Sequence, residues 1–305
     1  MMLTGNSGAL RQSSLALAAV LALSLIVNPG ADAATKKNLK LLWSEEFNSK
    51  KGTKPSAKNW AHDIGGGGWG NSERQYYTDK TSNIATDGDG KLVFTARRIS
   101  TATLDQVGTE PGTEAILDRC WECQFTSARI KTAKKLGFQY GRIEARMKMP
   151  IGVGTWPAFW MLGGDLLKGG RWPDCGEIDI MEFRGDISDR TTSALHGPTT
   201  PPGSGLGSAY ISFAPLSDDY HTYAIEWKKN SIDFIVDGRV TGTYSSADTG
   251  TRGWVYNQEF FLILNLAVGG TYAGEVIDPE LNQAEFKVDY IRYYSVNGVG
   301  KLTRK

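Results

Sequence analysis

Apolar and polar residues alternate without a break from Gly141 to Met149 (GRIEARMKM). Ile143, Ala145, Met147 and Met149 share one side, and Arg142, Glu144, Arg146 and Lys148 the other. A period of two predicts a half-buried antiparallel strand. Ser231 to Val240 (SIDFIVDGRV) reads as a hairpin turning at Asp237-Gly238, a pair suited to a two-residue turn. Phe260 to Val268 (FFLILNLAV) is apolar throughout, as in a strand covered on both faces, and Phe286 to Val296 (FKVDYIRYYSV) is a further β-rich run. Between such runs lie glycine-rich loops at 65–70, 197–207 and 269–270. Beyond the first 34 residues almost nothing carries a helical period. Many short strands joined by Gly/Pro turns predict an all-β fold, a jelly-roll sandwich of two antiparallel sheets. No internal repeat or linker divides it. The chain after Val296 is expected to fray, leaving 299–305 as a short tail.

The same pattern sets residues 1–33 apart. Arg11 precedes an apolar run from Leu15 to Val27, followed by Ala31-Asp32-Ala33. A basic start, a short apolar stretch and an A-x-A site predict a secretory signal cut near Ala33. The run is shorter than the roughly 20 residues of a membrane-spanning helix. Export to the extracellular or periplasmic space is therefore expected, with 34–298 forming one β-sandwich domain. A net charge of +1, without a basic block, excludes the clustered positive field that nucleic acid requires. A neutral substrate and a monomer fit better. Export permits disulfides. Cys120 and Cys123 are near enough to pair across a tight turn, which leaves Cys175 as a small buried residue. Zinc is not expected, because His62, His196 and His221 show no ligand spacing.

One strand carries unusual charge. In Gly176-Glu177-Ile178-Asp179-Ile180-Met181-Glu182 three acids alternate with apolar residues. Glu177 and Asp179 would share a face, whereas Glu182, five residues from Glu177, would turn away. A β-bulge at Ile180 or Met181 would return Glu182 to that face. Three carboxylates side by side repel one another and gain nothing from burial, so a strand needed only for packing would not choose them. Paired carboxylates are the equipment of glycoside hydrolysis, and a third acid between them holds their proton affinities apart. Tryptophans flank the acids: Trp156 and Trp160, four apart and hence on one strand face, and Trp172. Their rings suit either a core layer or the apolar face of a sugar.

With these motifs the chain resembles glycoside hydrolase family 16, in its laminarinase-type branch of endo-β-1,3-glucanases. The resemblance runs from about Leu42 to Tyr294 through WSEEFN (43–48), WGNSERQYYT (69–78), TSARI (126–130), YGRIEARMKMPIGVGTWPAFWMLG (140–163), GEIDIMEFRG (176–185), ALHG (194–197), LNLAVGG (264–270) and VDYIRYY (288–294). It implies a jelly roll with a substrate cleft and cleavage of β-glucan with retention. Glu177 would be nucleophile, Glu182 general acid/base and Asp179 the assisting carboxylate, on the bulged form of the motif typical of this branch. It implies cleft roles for Asn71, Arg129, Trp156, Trp160, Trp172 and His196. The chain departs from the pattern after LNLAVGG, where many relatives carry tryptophan and Tyr272 stands here; Tyr272 would stack on a sugar instead. The stretch 105–124 has no counterpart. No catalytic cofactor is implied. A structural Ca2+ is, held by Glu46, Gly90 and Asp289, oxygen donors suited to a hard cation. The alternatives are the same chemistry on mixed-linkage β-1,3-1,4-glucan or a galactan, or a glucan-binding protein without catalysis.

Overall fold

The computed structural model describes residues 37–99, 120, 122–199, 205–250 and 253–305. The expected signal segment and most of 105–124 lie outside the described residues. The remainder, Lys37–Lys305, is one compact unit. Among the described residues two sheets pack face to face, antiparallel except where β3 (Gln75–Tyr77) runs parallel to β6 (Phe125–Ser127). The outer sheet is built around β9 (Gly141–Lys148), β14 (His221–Lys228), β18 (Gln283–Val296) and β5 (Leu92–Arg98). The cleft sheet has the order β13 (Leu206–Ile211), β12 (Arg190–His196), β11 (Glu177–Phe183), β10 (Thr155–Gly163), β17 (Phe260–Val268), β7 (Arg129–Lys131), β2 (Ala61–Asp63). This is the jelly-roll sandwich that the strand pattern predicts.

The alternation in β9 survives intact: Ile143, Ala145 and Met147 are buried and their polar neighbours are partly exposed. In the core they join Phe159 and Met161 of β10, Ile178, Ile180, Met181 and Phe183 of β11, and Leu262, Leu264 and Leu266 of β17. A fully buried side chain of this size contributes roughly 1.5–3 kcal/mol, so this layer anchors the strands of the cleft. All nine residues of β17 are buried, as its unbroken apolar run requires. The hairpin of β15 (Ser231–Val236) and β16 (Arg239–Ser245) turns through Asp237 and Gly238, both at positive φ. Cys120 and Cys123 form a disulfide. Cys175 is free and buried, and burial pushes its thiol up to about 11.

The tail is not frayed. Lys301–Arg304 forms β19 and pairs with β8 (Leu136–Gln139). Asn297 and Gly298 reverse the chain at positive φ, between Val296 and Val299. Leu302 packs against the core, and the Lys305 ammonium meets Glu259 at 2.5 Å. The Asn-Gly turn was the available signal, but only a few residues follow it. What holds the strand is the hydrogen-bonding edge of β8, which the local sequence does not announce. Removing 301–305 should therefore lower Tm by roughly 5 °C, as expected for about 2 kcal/mol in a domain of this size. An unchanged melting curve would show that β19 contributes nothing.

Candidate active site

Register explains how one strand aligns three acids. On one side, Glu177, Asp179 and Glu182 pair with Leu162, Trp160 and Ala158 of β10. On the other they pair with His196, Ala194 and Thr192 of β12. Both sets of partners step by two, so all three acids share a face. The extra residue is absorbed between Asp179 and Glu182, where the ladder with β12 shifts register. Ile180 and Met181 are both buried there, which keeps apolar side chains in the core on either side of the bulge. The bulge expected at Ile180 or Met181 is thus present, and in the ladder with β10 Ile180 is the residue without a partner.

The cleft above this face encloses a cavity of about 350 Å3, lined by the three acids together with Asn71, Arg129, Trp156, Trp160 and Trp172. Each glutamate receives one indole N–H. Trp172 Nε1 donates to Glu177 Oε2 at 2.7 Å, and Trp156 Nε1 donates to Glu182 Oε1 at 3.1 Å. Asp179 is 3% exposed and shares a hydrogen bond with Glu177. His196 Nε2 lies 3.1 Å from Asp179 Oδ2, but off the line of a hydrogen bond, so that oxygen lacks a donor. A buried carboxylate oxygen without a donor favours the protonated acid. Burial, and then the charge of Asp179, pushes Glu177 up to about 8. Burial, and then the charge of Glu177, pushes Glu182 up to about 7, with the Trp156 N–H pulling the other way. Asp179 rises well above the ordinary range through burial and the charge of Glu182. Near neutral pH the group therefore retains protons, and one of them serves an acid that must donate.

The other expected residues divide. Arg129 lies between two rings, its guanidinium 4.8 Å from Trp69 and 4.8 Å from Trp160, and pairs with Asp63 at 3.1 Å. Trp160 Nε1 donates to Asn265 Oδ1 at 2.8 Å. Tyr272 is not among the residues lining the cavity; its ring packs on Trp156 at 4.9 Å and its hydroxyl is 2.6 Å from Thr192 Oγ1. It supports the indole that contacts Glu182. Sequence reasoning missed Asp63, Trp69, Glu73 and Asn265. Of these, Trp69 had a signal, as an aromatic residue in the run GGGGWG.

Two sets of groups bear on metals. Glu177, Asp179 and His196 offer ligand atoms within 4.8 Å of one another, but Glu177 Oε2 is already bonded to Trp172. The expected calcium residues belong to the outer sheet and its loops. Asp289 there joins Lys91 and Arg146, each at 2.7 Å. The Glu46 carboxylate receives Arg292 at 2.9 and 2.8 Å, which leaves its main-chain carbonyl to offer. Oxygen donors from three distant segments suit a hard cation, with the Lys91 ammonium and the Arg146 guanidinium, one on each carboxylate oxygen, as its competitors for Asp289.

The acids should cost stability as pH rises. Glu177 has a folded value near 8 against an ordinary 4.5, so the folded state binds more protons between these limits. Stability is present below that window and is lost as pH climbs through it. Glu177→Gln should therefore flatten the fall of Tm between roughly pH 5 and 8 relative to wild type. Parallel curves for the two proteins would contradict the assignment.

The comparisons with known proteins agree with this geometry. The family profile described as Glycosyl hydrolases family 16 matches residues 71–292. A beta-glucanase of Rhodothermus marinus is 35% identical over 93% of this chain and 94% of its own length. A glucan endo-1,3-beta-glucosidase of Cryptopygus antarcticus is 36% identical over 84% of this chain and 92% of its own. The crystal structure of a laminarinase from Flavobacterium sp. UMI-01 superposes with a TM-score of 0.71 at 38% identity, covering 84% of this chain and all of that one. With its three acids on one face of a bulged strand and a family match across most of its length, the chain belongs to glycosyl hydrolase family 16.

Proposed function

We propose that the chain is an exported, endo-acting hydrolase that cleaves β-1,3-glucan with retention of anomeric configuration. The observation that carries this reading is the alignment of Glu177, Asp179 and Glu182 on the cleft floor, each glutamate bonded to its own indole. Relatives named for 1,3-β-glucan hydrolysis support the substrate class. Residues 1–33 support export, and among the described residues no helix is long and apolar enough to cross a membrane.

The reaction follows from the two glutamates. Glu177 attacks the anomeric carbon while Glu182 gives its proton to the departing glycosidic oxygen, so the C–O bond breaks as an ester to Glu177 forms. Glu182, now ionised, takes a proton from water. That water attacks the same carbon, and the Glu177 carboxylate leaves. Two inversions give net retention. Asp179 holds a proton between itself and Glu177 and limits the charge that builds up in the buried site. Trp172 keeps one Glu177 oxygen bonded, and Trp156 does so for Glu182.

On laminarin, proton NMR of the first products should show the β-anomer; release of the α-anomer would mean inversion and remove the nucleophile role of Glu177. Glu177→Ala should lose several orders of magnitude of activity on every substrate, and added azide should give a product of inverted configuration. Glu182→Ala should keep activity on aryl glycosides whose leaving group needs no proton, with azide giving retention. Exchanged azide outcomes would exchange the roles. Preference for lichenan, agarose or carrageenan over laminarin would move the chain to the mixed-linkage or galactan alternative. Binding without cleavage would make it a glucan-binding protein.

A structural cation would act away from this chemistry. Calcium held by Glu46, Gly90 and Asp289 would tie the end of β1 (Leu39–Glu45), the turn before β5 and β18 together. It should raise Tm through mass action on the folded state. The rise should be larger in Lys91→Met and absent in Asp289→Ala. No response in any of the three proteins would eliminate the site.

A further inference from the structure

Glu73 is a buried acid at the cleft that the reaction above does not use. It is 5% exposed and yet lines the same cavity as Glu177 and Glu182. Its carboxylate gathers three donors. Asn71 Nδ2 donates to Oε1 at 3.1 Å, while Gln75 Nε2 at 2.6 Å and the Tyr77 hydroxyl at 3.2 Å donate to Oε2. A side-chain amide has one donor end and one acceptor end. Because Glu73 accepts from the nitrogen of Asn71, the oxygen Oδ1 is the end left for the cavity that Asn71 lines.

The surroundings hold this orientation in place. Gln75 Oε1 accepts from the main-chain N–H of Val268 at 2.8 Å, so the nitrogen of Gln75 must face Glu73. Arg74 N donates to Val268 O at 2.7 Å, and Thr271 N donates to Asn71 O at 2.8 Å. The Asn71–Gln75 segment is thereby stitched to the end of β17. Asn265 hydrogen-bonds to Tyr77 and also accepts from Trp160 Nε1. A continuous polar path runs from the tryptophan beside Asp179 to Glu73, and it ends at Asn71. A core acid with only a packing role would not need an amide at the cleft surface as its partner.

We propose that Glu73 is a positioning residue for glucan binding: it fixes the Asn71 amide so that Oδ1 accepts a hydroxyl of the sugar chain. The inference rests on the reading of the cleft as a β-1,3-glucan site. It assigns Glu73 no part in bond breaking, so its effect belongs to substrate affinity.

The test is a second-site rescue on laminarin. In Glu73→Gln one donor replaces an acceptor, and the Asn71 amide must flip or lose its bond. KM should rise about tenfold, the loss of roughly one well-made hydrogen bond, with kcat within about twofold of wild type. Asn71→Asp in the Glu73→Gln background restores the match. One oxygen of the new carboxylate accepts from the introduced amide nitrogen, while the other faces the cavity as an acceptor for the sugar. KM should return to within about threefold of wild type, an outcome expected only if the two side chains act as a pair. If Glu73→Gln does not fold, Asn71→Ala in the wild-type background should give the same rise in KM with kcat kept. An unchanged KM in Glu73→Gln or in Asn71→Ala, or a double variant no better than Glu73→Gln, would overturn the inference. Failure of wild type to cleave laminarin would instead strike the proposed substrate, so the two failures are separable.

Discussion

Placing three carboxylates on one face of a strand that is also a wall of the core is the constraint behind this structure. Desolvated carboxylates disfavour their charged forms, and adjacent ones repel. The strand must therefore be held by something stronger than its own polar face. That support comes from the opposite side of β11, where Ile178, Ile180, Met181 and Phe183 are buried in the main core. The bulge allows both demands to be met at once: it places two consecutive apolar residues in the core and returns Glu182 to the cleft. The proton affinity of Glu182, raised by burial before any other cause, is what general acid catalysis near neutral pH requires.

Around the acids the cleft is organised in layers. The indoles of Trp156 and Trp172 bond the two glutamates. Tyr272 supports one of these indoles from behind. At the other end Trp69, Arg129 and Trp160 form a ring–cation–ring stack closed by Asp63. Cation–π contacts of this kind contribute roughly 0.5–2 kcal/mol each, and here they also fix the spacing of two aromatic surfaces. The disulfide lies behind the same end: Gly66 leaves no room for a Cβ against Cys120 and Cys123, so the glycine loop that carries Trp69 is seated on it.

The sequence is most legible where a period is local. The strict alternation in 141–149, the Asp237-Gly238 turn and the apolar run of 260–268 each appear as the elements they predict. So does the parity of the three acids, because a five-residue offset has a definite geometric consequence. Legibility fails where the determining contact is distant in the chain. β19 depends on the open edge of β8, where Lys301 pairs with Gln139 from the middle of the sequence. Asp63, Arg129, Asn265 and Trp160 come together through the strand order β2, β7, β17, β10, which alternation cannot supply. Glu73 reads in sequence as one acid among many, and its meaning comes from the three donors the fold turns toward it. The same holds for Tyr272, whose neighbour Trp156 decides what its ring can touch.

The division of labour between the two glutamates, with Glu177 carrying the covalent bond and Glu182 the proton, is the claim on which the mechanism stands. Peptide mapping by mass spectrometry of the adduct formed with a fluorinated, activated β-1,3-linked disaccharide tests it most directly. Such a reagent slows breakdown of the glycosyl-enzyme and lets it accumulate. We expect one glycosyl unit per chain, attached to Glu177. A label on Glu182, or inactivation without any covalent adduct, would contradict that division.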